Sequence, residues 1–466
     1  MKRIRRTAGL ITGIFAVMFL CLGGFFTYNV TVYSDRWFAD PANPNIIHTD
    51  GVIPGSVYDK NGMSLAKSVE NAQGDYERVY AENPSVRRAV SQLLGDTEGQ
   101  VANGVESFMA AYLLGYRAGW TARLGQLFSD EPRRGDNIRL TVDAMLCKYA
   151  AEHFPAGKSG AVVVLNYKTG EIRAMVSLPN FDPATDDHAP GSYFNRATNV
   201  LYPPGSLFKL ITYAAALKEL PGVESRTFNC GGRFTVDQLS IVEANGATHG
   251  AVTLRQALEQ SCNITFAQLA LEMGYPAIER QARAFGFNDT VLFRDLVVKD
   301  SKYPTTSPTR DDLAQSAYGQ GRVETTPLEM ALVAATIANG GTMMEPKLLD
   351  RASSTASGGL PVGSSVYRKV LDDSRASILK EAMVAAVQVG TASQASIEGY
   401  RIGGKTGSAE VSSDKTVPTH AWFTGFIDDP EHPLAICVLI EGGGSGAIAA
   451  APLAQDILRE AIRLKD

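Results

Sequence analysis

The spacing of apolar residues changes several times along this chain. Residues 7 to 34 carry no charge, and their centre, "LITGIFAVMFLCLGGFF", is apolar on all sides. About 20 such residues cross the hydrocarbon core of a bilayer as a helix. From 31 to about 150 the pattern is weaker. "VIPGSVYDKNGMSLAKS" reads as a strand, an Asp-Lys-Asn-Gly turn and a second strand. The stretch 84 to 128 reads as helical, with "VRRAVSQLL" and "VESFMAAYLLGY" as its apolar runs.

At 160 the texture shifts. "GAVVVLNYKTGEIRAMVSLP" predicts a β-hairpin, followed by an Asp- and Pro-rich loop from 180 to 200. Helical spacing recurs over 206–219, 253–273 and 325–339, a Ser/Gly-rich surface loop covers 352–365, and "DDSRASILKEAMVAAV" is an amphipathic helix with an acidic start. "YRIGGKTGSAEV", "THAWFTGFID" and "LAICVLIEGG" predict three more strands, and 453–464 a last helix. Two early strands, three late ones and helices between them predict an α/β (α+β) fold. One antiparallel sheet would be closed by both chain ends and covered by helices.

Charge refines the picture. Lys2, Arg3, Arg5 and Arg6 precede the apolar run, which predicts a cytoplasmic tail and everything after residue 30 outside. No A-x-A site follows the run, so the segment reads as an uncleaved anchor rather than a signal peptide. The expected organisation is a tail over 1–6, an anchor over 7–30, an N-terminal domain over 31–150 and a larger domain over 151–466. With 466 residues, a net charge of −5 and no long basic patch, nucleic acid is not an expected partner. The five cysteines are too few and scattered for a disulfide framework. Cys21 lies in the anchor, behind a Leu20 too large for a typical lipidation site. Cys230 and Cys262 could pair, which spacing leaves open. No C-x-x-C or H-E-x-x-H is present and the six histidines are dispersed, so neither a metal nor a cofactor is expected.

The candidate chemistry starts at "YPPGSLFKLI". Ser-x-x-Lys occurs four times, as Ser64/Lys67, Ser206/Lys209, Ser377/Lys380 and Ser412/Lys415. Ser64 and Lys67 fall on a predicted strand, where i and i+3 face opposite ways. Lys380 lies on the polar side of its helix, beside Glu381. Ser206 differs, because a Pro-Pro-Gly turn sets it at a helix N-terminus, where backbone N–H groups favour negative charge. Lys209 follows one turn later among Leu207, Phe208, Leu210 and Ile211. Burial there would lower the lysine pKa, and a base poised near neutrality needs a drop of roughly 3 units, about 4 kcal/mol. Relay partners are available in "QSCN", with Ser261 and Asn263, and in "GGKTGSAE", with Lys405, Thr406, Gly407 and Ser408. A second K-T-G, at Lys168, sits in the predicted hairpin turn and reads as solvated. The Lys405 copy lies in a strand flanked by glycines, expected to let a substrate backbone approach.

Ser-x-x-Lys, Ser-x-Asn and Lys-Thr-Gly in that order resemble the signature of penicillin-binding proteins and serine β-lactamases. The blocks "NRATNVLYPPGSLFKL", "SCNITFAQLA", "YGQGRVETTPLEMA" and "GGKTGSAE…HAWFTGFI" extend the resemblance over about 160 to 450. The single anchor resembles the monofunctional class B group. The resemblance implies a small pedestal domain over 31–150 and a transpeptidase domain with a five-stranded sheet and an all-α subdomain. It implies Ser206 as acylated nucleophile, Lys209 as base, Ser261 as proton relay and Asn263 as the group orienting Lys209 and the substrate amide. Lys405 and Thr406 would bind the substrate carboxylate, with Lys405 also holding Lys209 neutral. Backbone N–H groups of Ser206 and Ser408 would form the oxyanion hole. The implied reaction is peptidoglycan D,D-transpeptidation, inhibited by β-lactams. The alternatives are a D,D-carboxypeptidase or β-lactamase using the same acyl-enzyme, and a β-lactam sensor or scaffold. The implied partners are stem peptides ending in D-Ala-D-Ala and a membrane glycan polymerase of the shape, elongation, division and sporulation (SEDS) family. "IPGSVYDKNG" departs from the family block by carrying Pro54 where an arginine is expected. His420, Trp422 and Phe423 lie in a family-like block as candidate cleft residues, against the ordinary reading of strand aromatics as core.

Overall fold

The computed structural model describes residues 2–38, 52–96, 99–101, 103–116, 132–185, 188–290, 293–305, 308–353, 361–412, 414 and 416–465. Its centre is a five-stranded antiparallel sheet. The strand order is Ile402–Ala409, His420–Ile427, Leu434–Ile440, Gly160–Asn166 and Ile172–Leu178. The early hairpin and the three late strands therefore meet as the apolar pattern predicts. Leu434–Ile440 is buried at every position. That explains why its sequence is a continuous apolar run rather than an alternating one.

Helix Pro327–Ala338 packs on the central strands and is buried along its whole length. A helix apolar on every side has no solvent face to offer. Thr326 caps it by accepting from the Glu329 N–H, and Pro327 occupies a first-turn position where no N–H is missed. Helix Asp373–Gln388 lies against the edge strand Ile402–Ala409, and Ala451–Arg463 against Leu434–Ile440. The helix expected over 253–273 is instead two, Leu254–Glu259 and Asn263–Met273. Ser261 breaks it by adopting φ 56°, a left-handed conformation that a helix cannot pass through.

A second, mixed sheet has the order Leu349–Ser353, Asn137–Leu140, Val57–Tyr58, Ser64–Glu70, Tyr76–Tyr80. Its first strand comes from far along the chain, where the sequence reads as the approach to a loop. Arg87 reinforces the link between early and late segments, with Nε and Nη2 each 2.8 Å from an Asp182 carboxylate oxygen. Of the loop expected over 352–365, residues 352 and 353 belong to this strand, and 354–360 lie outside the described residues. The helical reading of 84–128 resolves into short helices, among them Pro84–Ala89, Ser91–Leu94, Val105–Phe108 and Ala110–Leu113; 117–128 lies outside the described residues. Small hairpin strands that the pattern did not indicate pair Thr227–Cys230 with Gly250–Thr253, and Arg233–Val236 with Leu239–Val242. At the N-terminus Lys2–Phe38 is one helix, and its stretch Ile11–Asn29 is long and apolar enough to cross a membrane.

Glu329 is the anomaly in the core. It lies on the buried helix, and its Oε1 has no hydrogen-bond partner among the described residues. Burial pushes its carboxyl up to about 8, with Arg368 opposing and Asp289 assisting. The folded state therefore holds a proton that an unfolded glutamate releases near 4.5. Stability from this group is complete below that value and is lost as pH rises toward 8. Glu329→Gln should remove this dependence. Unfolding free energies from denaturant titrations at pH 5 and pH 8 should show the wild type losing stability relative to the variant at the higher pH, by a few kcal/mol at most.

Candidate active site

The Ser206 segment begins with Gly205–Phe208 in a 3₁₀ turn and continues as the α-helix Lys209–Glu219. Side chains at i and i+3 eclipse in a 3₁₀ turn, so Ser206 and Lys209 share a face. Ser206 is half-buried; Lys209 is fully buried. Three acceptors converge on Lys209 Nζ: the Ser261 carbonyl at 2.5 Å, Ser261 Oγ at 3.1 Å and Asn263 Oδ1 at 2.7 Å. The left-handed turn at Ser261 is what offers its carbonyl and its hydroxyl to the same ammonium.

Lys405 arrives from the edge strand of the sheet. Its Nζ donates to Ser261 Oγ at 2.8 Å and to the Thr406 carbonyl at 2.9 Å, and the side chain is fully buried. Two lysines thus donate to one serine oxygen. Both lone pairs of that oxygen are then engaged, leaving its O–H free to donate onward. Burial lowers the Lys209 pKa to about 8, against the opposing pull of Glu243 and Cys262. Burial first, and then repulsion from Lys209, holds Lys405 well below the ordinary lysine range.

Thr406 is buried, with Oγ1 3.3 Å from Thr391 Oγ1, and the exposed Ser408 accepts at Oγ from the Gly446 N–H at 3.2 Å. Gly407 does not leave the space that the sequence suggested. A Cβ there would come 3.1 Å from the Pro204 carbonyl and 3.3 Å from Leu207 Cγ. Gly403 and Gly404 face the rings of Phe426 and Phe423, at 2.3 and 2.5 Å from such a Cβ. These glycines admit the protein's own Ser206 turn and aromatic core rather than a substrate backbone. What the strand offers instead is its outer edge, where backbone groups are not taken by a neighbouring strand of the sheet.

The other Ser-x-x-Lys pairs lie elsewhere. Lys67 is exposed on strand Ser64–Glu70, and Lys380 bonds Asp428 at 2.9 Å. Lys415 is outside the described residues. Lys168 reaches Asn339 at 3.0 Å, while its turn is closed by the Asn166 side chain accepting from the Lys168 and Thr169 N–H groups. Trp422 and Phe423 are fully buried. Trp422 Nε1 donates to the Pro203 carbonyl at 3.1 Å, so it supports the Ser206 turn from beneath. His420 accepts from the Gly442 N–H at 3.0 Å, and burial lowers its pKa.

Sequence reasoning missed the clamp around this turn. Tyr202 exchanges backbone hydrogen bonds with Thr325, and Gly205 N–H donates to the Gly319 carbonyl at 3.0 Å. Gly319 has φ 74°, and a Cβ on it would stand 2.1 Å from the Gly205 carbonyl oxygen. The Tyr202 hydroxyl donates to Glu441 at 2.6 Å, and Arg196 holds the same carboxylate at 2.8 Å. The block "YGQGRVETTP" was the available signal, although its spacing carries no chemistry of its own. Cys230 and Cys262, whose pairing the sequence left open, are both buried free thiols.

A family model described as Penicillin binding protein transpeptidase domain matches residues 160–459. The chain is 33% identical to the peptidoglycan D,D-transpeptidase PbpA of Mycolicibacterium smegmatis, over 92% of this chain and 93% of that one. It is 30% identical to PbpA of Mycobacterium tuberculosis, over 97% and 98%. Among solved structures, penicillin-binding protein A from M. tuberculosis as a ceftriaxone acyl-enzyme complex superposes with a TM-score of 0.81 at 29% identity. That match covers 89% of this chain and all of the other.

Lys209 should lose its proton near pH 8 rather than in the ordinary lysine range. Side-chain NMR of the protein labelled at lysine Cε, with Lys209→Met to assign the signal, measures this directly. A midpoint above 10 would mean that the three acceptors outweigh burial.

Proposed function

The chain belongs to the penicillin-binding protein transpeptidase family, and from that premise we propose Ser206 as the nucleophile of a peptidoglycan D,D-transpeptidase. The observation that carries this reading is the convergence of Lys209 and Lys405 on Ser261 Oγ, one turn from a serine at a helix start.

The proposed cycle has two steps. Neutral Lys209 takes the Ser206 Oγ proton as the oxygen attacks the carbonyl of the penultimate D-Ala. The backbone N–H groups of Ser206 and Ser408 receive the developing oxyanion. The C–N bond then breaks, and Ser261 passes a proton from Lys209 to the departing D-Ala amine. In the second step an amine of a neighbouring stem peptide attacks the ester, loses its proton by the same relay, and frees Ser206. Asn263 keeps Lys209 aimed. Lys405 is buried against Ser261, so its proposed role is to hold the Ser261 hydroxyl in line with Lys209. The substrate carboxylate would be met by Thr406 and Ser408, with Gly407 setting the close fit between strand and nucleophile turn. β-Lactams enter the first step and stop there, as a stable ester on Ser206.

The same reading covers location. The apolar helix suits a single-pass anchor. We assign residues 1–6 to a cytoplasmic tail, 7–30 to the anchor, 31–150 to a pedestal and 151–466 to an extracytoplasmic catalytic domain. The anchor would share its bilayer with the SEDS glycan polymerase that the resemblance implies as partner.

Intact mass after incubation with benzylpenicillin tests the nucleophile. One adduct is expected, and none on Ser206→Ala. Lys209→Ala should slow acylation by about 100-fold or more, whereas Lys168→Ala should leave it intact. The acylation rate of wild type should rise with pH up to about 8, as Lys209 loses its proton, and then level off. An adduct on Ser206→Ala, or normal kinetics in Lys209→Ala, would refute the assignment.

A further inference from the structure

The loop after the strand Leu434–Ile440 runs through Glu441, Gly442, Gly443 and Gly444 before the chain turns at Gly446. Three successive glycines have no side chains with which to anchor a loop, so its backbone has to be held from outside. His420 supplies one hold: its Nδ1 accepts from the Gly442 N–H at 3.0 Å. Lys158 Nζ donates to the Gly442 carbonyl at 2.9 Å. Thr419 binds Gly444 twice. Its carbonyl accepts from the Gly444 N–H at 2.9 Å, and its hydroxyl donates to the Gly444 carbonyl at 2.7 Å.

What the loop holds in turn lies at the site. Glu441 accepts from Arg196 and from the hydroxyl of Tyr202, just ahead of the Pro-Pro-Gly turn to Ser206. The Gly446 N–H donates to Ser408 Oγ at 3.2 Å, and a Cβ on Gly446 would stand 2.3 Å from the Gly407 carbonyl oxygen. The loop thus bridges the Ser206 turn and the Lys405 strand. His420 shares a face of its strand with Trp422, because side chains two positions apart point the same way. The Tyr202 ring meets both of them edge-on, with centroids 5.6 Å and 6.2 Å away. We propose that His420 is a positioning residue for acylation of Ser206: its neutral imidazole latches the 441–446 loop, which keeps Ser408 and the Ser206 turn in register. This role rests on the acyl-enzyme reading, whereas the bond to Gly442 does not.

The latch works in one protonation state only. Nδ1 accepts from Gly442 only while its lone pair is free, which puts the single ring proton on Nε2. An imidazolium would set one N–H against another and give up the bond. The surrounding groups pull both ways. Burial holds the imidazole pKa below the ordinary 6.5, and the Glu441 carboxylate opposes that shift. Glu441 is itself engaged by Arg196 and Tyr202, while Lys158 places a positive charge at the Gly442 carbonyl. On the neighbouring strand His420 pairs with Ala409, and Glu410 beyond it is exposed. The neutral form therefore prevails at neutral pH, and the latch opens on acidification below 6.5.

The test is the benzylpenicillin acylation rate of the full chain in detergent, measured from pH 4 to pH 8 for wild type, His420→Asn and His420→Ala. Asparagine Oδ1 accepts at much the same reach as Nδ1 but does not titrate. At pH 8 His420→Ala should be slower by about 10-fold, the scale of one buried donor left unpaired. His420→Asn should recover most of that loss. Comparing the proteins at each pH cancels the titration of Lys209. The advantage of wild type over His420→Ala should vanish as His420 gains its proton, whereas the advantage of His420→Asn should persist. 15N NMR of histidine-labelled wild type, with His420→Asn to assign the signal, gives the midpoint of that titration and should find the proton on Nε2 at pH 8. A wild-type advantage that does not change across the midpoint, or a proton on Nδ1 at pH 8, would overturn the latch while Ser206 still acylates. A folded wild type that forms no adduct would overturn the acyl-enzyme reading and this role with it.

Discussion

Two buried lysines pointing at one serine hydroxyl set the terms for the rest of the structure. An ammonium in a dry interior is costly unless acceptors replace its water. Lys209 has three such acceptors and Lys405 two, with Ser261 Oγ common to both. Desolvation and mutual repulsion then work against two full charges side by side. The outcome is a pair poised to lose a proton and a hydroxyl placed to carry one. Moving Ser261 would cost Lys209 two of its three acceptors and Lys405 one of its two, which is a reason for the chain to accept a left-handed serine there.

Holding this arrangement takes contributions from distant parts of the chain. The sheet delivers Lys405 along an edge strand, the Pro-Pro-Gly turn delivers Ser206, and a break between two helices delivers Ser261 and Asn263. The turn is then fixed from two sides. Gly319 and Thr325 bind its backbone, while Trp422 and Tyr202 tie it to the sheet and to Glu441. At Gly319 two backbones approach too closely for a side chain, and at Gly205 and Gly407 a Cβ would have its nearest neighbour at only 3.2 and 3.1 Å. Tight packing of this kind limits how far Ser206 can drift, and positional precision is a large part of what such a site contributes to rate.

Much of this was legible in the sequence. Continuous apolar runs marked the central strands and the buried helix, because elements covered on all sides have no polar face to display. The long apolar N-terminal helix was equally plain, since nothing but a bilayer or a core accommodates so long an uncharged stretch. Chemistry was legible where it is local. Ser206 and Lys209 lie within a single turn, and the Lys405 copy of K-T-G could be preferred over the Lys168 copy from its strand context alone.

Other features depend on contacts between residues far apart in the chain, and spacing does not encode those. The sequence could not show that the strand Leu349–Ser353 completes a sheet made of the first 150 residues, because its pairing partner Asn137–Leu140 supplies the reason for it to be a strand. It suggested that the glycines around Lys405 make room for a ligand, whereas tertiary packing fills that room with Phe423, Phe426 and the Ser206 turn. It offered Cys230 and Cys262 as a possible disulfide, and the fold sets both as thiols around Glu243 and His249. The sequence by itself determined the strands of the central sheet, the buried helix and the long apolar N-terminal helix, and which residues carry reactive groups, because periodicity and side-chain chemistry are local properties. Only the tertiary structure decided which of those groups share a hydrogen bond, since that depends on where the sheet and the helix break bring them.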